Sequence, residues 1–412
     1  MSTMTERNFL LRDTNFVKSL EKIGFALLII GVVAGVASFL LMDADHEPLK
    51  RFFSSYLLAY TYFLGVAVTA MFFSALQYLV NAGWSALVRR IAEMFAPFIF
   101  VIILGFIPIV IDVFSTHQLF EWTHAGVMDP NAANFDPILK GKDWFLNPTF
   151  FVGRVVFYCL VWFLMYQTII KNSLRQDEAG DDHTPTRRNK AIAAPMVILY
   201  ALTISFAGID LVMTLYPHWY STMFGVQFFG GSFVATLSII ALFTVFLKEG
   251  GYLPQVTTEH YHDLGKMMFA FNVFWAYVSF SQFMLIWYGN LPEETVYFMD
   301  YRLVGGFEYF FYAIIVLHFA LPFILLLPQA NKRNPKILGG VAVLIILMHF
   351  IDLAWYVNPS LYHGHFTFGL QEISLFLFFA GMFVWMAASQ FKSKKAVAVN
   401  DPFLEESVHL VS

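Results

Sequence analysis

Apolar residues run along this chain in ten long blocks, at 20–42, 54–80, 91–114, 149–171, 193–215, 228–247, 267–289, 308–328, 337–357 and 370–391. Each is long enough for an α-helix to cross roughly 30 Å of hydrocarbon. In lipid a backbone must satisfy its own hydrogen bonds, so blocks of this kind predict helices. The predicted fold class is therefore all-α, a polytopic membrane protein with about ten transmembrane helices. The segment before the first block, Met1 to Ser19, is polar, and no small-residue cleavage site follows the block. A retained helix is expected rather than a signal peptide.

The pattern also repeats. The fifth block ends Ile209-Asp210-Leu211 with Pro217 seven residues after the Asp; the ninth ends Ile351-Asp352-Leu353 with Pro359 at the same interval. Four blocks separate the copies, an even number, so both copies run the same way across the bilayer. This predicts two parallel four-helix bundles, 54–215 (blocks two to five) and 216–357 (blocks six to nine). Residues 20–53 and 358–391 then supply two peripheral helices, and 1–19 and 392–412 are terminal segments. The longest connection between blocks, about 115–148, holds Trp122, Trp144 and three prolines and is expected to pack against something. The stretch from Arg175 to Lys190 is polar, lacks apolar periodicity, and is expected to be a mobile linker.

Basic residues assign the two sides. Four Lys/Arg precede or open the first block (Arg7, Arg12, Lys18, Lys22), Arg89 and Arg90 follow the second, and five follow the fourth. Lys248 and Lys266 flank the next connection on that side, and three residues follow each of the eighth and tenth blocks. That side holds 19 Lys/Arg and the other five, so the basic end and both termini are expected in the cytoplasm.

Composition agrees with lipid as the solvent. Only 13% of residues are charged, against about 25% in a typical soluble domain, and mean hydropathy is +0.63. A net charge of -4 leaves no basic footprint for nucleic acid. The single Cys159 rules out an iron-sulfur cluster, a thiolate zinc site or an internal disulfide built by this chain alone.

Ionisable groups inside spans are costly and usually face a bundle interior or water. The candidates are Asp112, Arg154, Asp210, Glu308, His318, His349 and Asp352, with Glu93 and Glu372 near span starts. Most of the carboxylates fall toward the less basic end. One reading is an outward-opening cavity in which carboxylates exchange protons, aided by Ser279, Ser281 and Gln282. The plainer reading is interfacial solvation or structural pairing, such as Asp210 with Arg154. His349, three residues before Asp352, shares its helical face and offers a carboxylate–imidazole relay. His318 lies at a similar depth, which brings haem ligation into consideration; one such pair, without a second, is weak ground for it. The connecting-loop histidines form no metal-ligand constellation, and no phosphate loop, nucleophile elbow or zinc-peptidase signature occurs. Catalysis by this chain alone is not expected.

The stretch Glu259-His260-Tyr261-His262-Asp263-Leu264-Gly265-Lys266 is followed by Phe274-Trp275-Ala276-Tyr277, Phe280-Ser281-Gln282, Ile286-Trp287-Tyr288 and Asn290-Leu291-Pro292-Glu293-Glu294-Thr295. It resembles the NrfD-like, polysulfide-reductase-type membrane subunits of bacterial alternative complex III. In length and span number the chain is most similar to the smaller (ActF) type. The resemblance implies a bacterial inner-membrane subunit of a quinol:cytochrome c oxidoreductase that takes electrons from menaquinol. It implies as partners a homologous larger membrane subunit, an iron-sulfur subunit and haem c subunits, with the redox centres in those partners and none in this chain. Two other classes compete: a secondary transporter rocking about a midplane site, and a purely structural membrane scaffold.

Overall fold

The computed structural model describes residues 14–42, 47–363 and 365–410; residues 1–13, with Arg7 and Arg12, lie outside the described residues. It is all-α, with no strand among the described residues. Among the described residues, ten helices are long and apolar enough to span a membrane: α1 (Asn15–Leu40), α2 (Pro48–Leu79), α3 (Gly83–Thr116), α4 (Pro148–Gln176), α5 (Thr184–Leu215), α6 (Phe224–Glu249), α7 (Thr258–Gly289), α8 (Phe307–Leu326), α9 (Pro335–Tyr362) and α10 (Leu370–Ser393). The chain is a multi-pass membrane protein. Several helices outrun their apolar blocks: α7 begins at Thr258, where Thr257 and His260 form a reciprocal cap.

α2 and α6 form the centre. The apolar window of α2 is wholly buried, whereas only 11% of that of α1 is. A helix enclosed on all sides needs close neighbours, and α2 provides small and hydroxyl side chains for this. Thr61 and Ser74 donate back to carbonyls one turn earlier, to Leu57 (2.8 Å) and Ala70 (3.3 Å), so their hydroxyls need no outside partner. α2 packs against α3, α5, α6, α9 and α10, while α6 packs against α5, α7 and α9. Further neighbours include α3 with α4, α4 with α5, α7 with α8, and α8 with α9.

α1 and α10 pack tightly together at the periphery. A Cβ at Gly31 would stand 2.4 Å from the Phe378 backbone nitrogen, and one at Gly381 would stand 2.2 Å from that of Leu28. Glycine is required at both because backbone meets backbone, as in small-residue packing between membrane helices generally.

The polar connections at the basic end depart from expectation. Residues 175–190 are not a free linker: Asp177, Thr186 and Asn189 are buried. The Gln176 side chain accepts from the Thr186 amide and hydroxyl (3.2 and 2.9 Å), and Arg90 donates to Asp177 (2.7 Å). The segment after α10 folds back over the same surface. Lys395 and Asn400 donate to the Asp177 carbonyl (3.0 and 3.1 Å), Arg89 donates to Asp401, and Ser407 donates to the Trp84 carbonyl (2.7 Å). Arg89, Arg90, Glu93, Asp177 and Asp401 thus form one buried charge cluster.

At the opposite end, the 115–148 connection packs on its own bundle. Trp122 is buried against Phe120 and Phe151. Asp136 caps the short helix Pro137–Gly141 and meets His218 at 2.5 Å, and Lys142 donates to the Pro217 carbonyl. Trp144 remains exposed.

Candidate functional site

The sequence candidates separate into one group that clusters around Asp352 and several that serve local structure. Asp112 ends its helix in a π-helical turn, Asp112–Thr116, and accepts from the Thr116 hydroxyl (2.6 Å) and the amides of Gln118 and Leu119 (2.8 and 3.0 Å). Its role is to cap. Glu308 accepts from the Gly306 amide at the start of α8 (2.8 Å). Glu372 takes Arg51 (2.7 Å), Ser55 (3.0 Å) and the Gly369 amide (2.8 Å). Glu93 belongs to the basic-end cluster. Asp210 is held by Arg154 through two 2.9 Å hydrogen bonds and by the Tyr158 hydroxyl at 2.7 Å. It does not share a cavity with Asp352.

Asp352, His349 and His318 do come together. Asp352, on α9, accepts from the Trp275 indole of α7 at 3.2 Å. His349 lies one turn away, its Nδ1 3.7 Å from the carboxylate, which is beyond hydrogen-bond reach. The α6 backbone makes room for this ring at Gly231, where a Cβ would stand 2.6 Å from His349 Cε1. The His318 ring lies 4.0 Å from that of Trp275 and 6.1 Å from that of His349, measured between ring centres, tilted by 44° and 41°. A π-helical stretch, Ile314–Ala320, carries it. Such insertions frequently mark functional positions in helices. Both nitrogens of His318 and of His349, and Asn272 Oδ1, are buried without a hydrogen-bond partner among the described residues. Unmet polar atoms in an apolar interior are costly, so these imidazoles do not stabilise the bundle by hydrogen bonding.

Asp352 lines a cavity of about 530 Å³ between α7, α8 and α9, walled by aromatic side chains including Trp275, Phe283, Phe311 and Trp355. Its exposed lining residues, Tyr277, Phe280 and Ile315, belong to α7 and α8. The mouth therefore faces sideways, toward where lipid would lie, and not along the helix axis. Tyr356, one turn beyond Asp352, also lines it. From there side chains link in series: Gln227 donates to Tyr356, Gln282 donates to Gln227 (2.9 Å), and Ser221 donates to Gln282 (2.7 Å). Ser221 stands just outside α6 at the less basic end. Gln282 thus takes part in a polar route, although Ser281 bonds only to its own helix. Sequence reasoning passed over Trp275, Tyr356 and Gln227. The signal for the first two was their spacing, since Tyr356 follows Asp352 by one helical turn and Trp275 lies within the motif stretch at mid-span.

Among the described residues no three His, Cys, Asp or Glu side chains are arranged to hold a metal ion. In comparisons with known proteins, no family model and no curated protein matches this chain. The fold is that of an all-α, multi-pass membrane protein, with Asp352 on the wall of an aromatic cavity and two buried histidines packed beside it.

Proposed function

We propose that this chain is an integral membrane subunit of a quinol-oxidising respiratory complex, of the kind formed by the smaller membrane subunit of alternative complex III. In this reading it scaffolds the complex and moves protons through the Asp352 centre. It sits in a bacterial cytoplasmic membrane with its basic end and both termini inside. Electrons from menaquinol pass through the iron-sulfur and haem c subunits, while a homologous larger membrane subunit lies beside it.

One observation carries the proton role: a carboxylate, two unpartnered imidazoles and an indole meet within an otherwise apolar bundle, at the inner end of a polar side-chain route. A carboxyl group and an imidazole can each hold and release a proton, and His349 Nδ1 stands 3.7 Å from the Asp352 carboxylate, a gap that a small side-chain movement closes. Tyr356, Gln227, Gln282 and Ser221 orient the path toward the less basic end. A secondary transporter would need spans broken at matching mid-membrane positions. Here α5 gives way to a short 3-10 turn, Met213–Leu215, at its end, whereas α9 continues through Pro359.

Asp352→Asn keeps size and hydrogen bonding while removing the titration. The expected result is an assembled complex with proton release and turnover reduced at least tenfold. Unaltered proton release and quinol oxidation in a fully assembled complex would leave the scaffold role alone.

A further inference from the structure

Two further cavities lie where α1, α2 and α10 meet. An apolar groove of about 570 Å³ is lined by Gly31, Val32, Gly35, Val36 and Phe39 of α1 and by Phe378 of α10, among others. It follows α1 from Gly31 to Leu40, about 14 Å of helix. Above it, at the less basic end, a pocket of about 350 Å³ is lined by Ser38, Glu47, Arg51, Tyr362, Thr367 and Gln371. Gln371 lines both. Groove and pocket therefore meet, apolar below and polar above, as an amphipathic molecule in a membrane leaflet is arranged.

The polar pocket holds unmet hydrogen-bonding capacity. Gln371 is 2% exposed, yet its Oε1 has no partner among the described residues. Arg51 Nε and Thr367 Oγ1 are also buried without partners there. The charges are balanced: Arg51 pairs with Glu372 at 2.7 Å, and Lys50 pairs with Glu47 at 3.2 Å. A headgroup bearing only negative charge gains little from such a site. One with a phosphate and an ammonium matches it, the phosphate accepting from Arg51 and the ammonium approaching Glu47.

We infer that pocket and groove form a single binding site for a zwitterionic phospholipid, with its headgroup at Arg51 and Gln371 and one acyl chain lying along α1. The lipid fills the seam beside the two glycine contacts, Gly31 and Gly381, that hold α1 to α10. It thereby joins a helix that packs mainly on one neighbour to the body of the protein.

The test is native mass spectrometry of the full-length protein in detergent, after exchange into phosphatidylethanolamine or phosphatidylglycerol and delipidation. The wild type is expected to keep one phosphatidylethanolamine and to lose phosphatidylglycerol. Val36→Trp fills the groove, and Gln371→Leu removes the buried amide; each is expected to cut retention at least tenfold. Val33→Trp, on an exposed position of α1 outside the groove, is expected to retain the lipid. Melting temperature checks that each variant is folded, and Val32→Phe replaces Val36→Trp should the latter fail. Equal retention in the groove-filling and control variants, equal retention of phosphatidylglycerol, or no lipid kept by the wild type would each overturn the inference.

Discussion

Arg154 of α4 and Asp210 of α5 meet through two hydrogen bonds of 2.9 Å each, with the guanidinium also 3.9 Å from the Phe145 ring centre. This forked geometry fits arginine and not lysine. Both groups are buried, so removing one strands the other. Arg154→Met is expected to cost about 3–5 kcal/mol, and Arg154→Met with Asp210→Leu to recover most of it. Thermal melting in detergent measures both. Equal losses in single and double variants would mean that the pair does not act as a unit.

Orientation is accessible through single cysteines. In a Cys159→Ala background, Asn131→Cys and Asp181→Cys occupy exposed positions at opposite ends of the helices. An impermeant maleimide on intact cells is expected to modify position 131 and spare 181. The reverse pattern would invert the proposed topology.

Burial pushes the Asp177 carboxyl up to about 6, with Glu93 adding to the rise and Arg90 and Lys395 opposing it. A raised acid binds its proton more tightly in the folded state than in the unfolded chain. Its contribution to stability is therefore full at acidic pH and is lost as pH rises from about 4 to about 6. Asp177→Asn lacks this titration. The melting temperature of the variant minus that of the wild type is expected to climb across this window and level off above it. A flat difference would show that Asp177 titrates normally.

The α1–α10 seam tolerates no added side chain where backbones touch. Gly31→Leu and Gly381→Leu each drive a side chain into a facing backbone and are expected to destabilise by about 1–3 kcal/mol or to detach α1. A disulfide placed between α1 and α10 would report detachment as slowed crosslinking. Unchanged crosslinking and melting would show that the seam can open without cost.

Span number and helical class were legible because apolar blocks of membrane length have few alternatives. Boundaries were less so: α7 starts nine residues before its apolar block, since helices extend into the polar layer where composition no longer marks them. The two Ile-Asp-Leu copies read alike, yet their surroundings differ. Asp210 has an arginine within reach on α4, and Asp352 has only an indole and a distant imidazole. Long-range partners of this kind have no signature in local spacing. The same holds for residues 175–190 and the segment after α10. Their polarity suggested solvent, but it serves buried pairing with Arg89 and Arg90.

That pairing sets a condition on how the molecule is made. Asp401, which neutralises Arg89, lies 312 residues further along the chain. While α3 to α10 are being inserted, Arg89 lacks this counter-charge and has only Glu93, four residues on, as its acidic partner. The fold-back segment therefore closes the cluster last: Glu93 and Asp177 can meet the two arginines early, and Asp401 supplies the final carboxylate once α10 is in place.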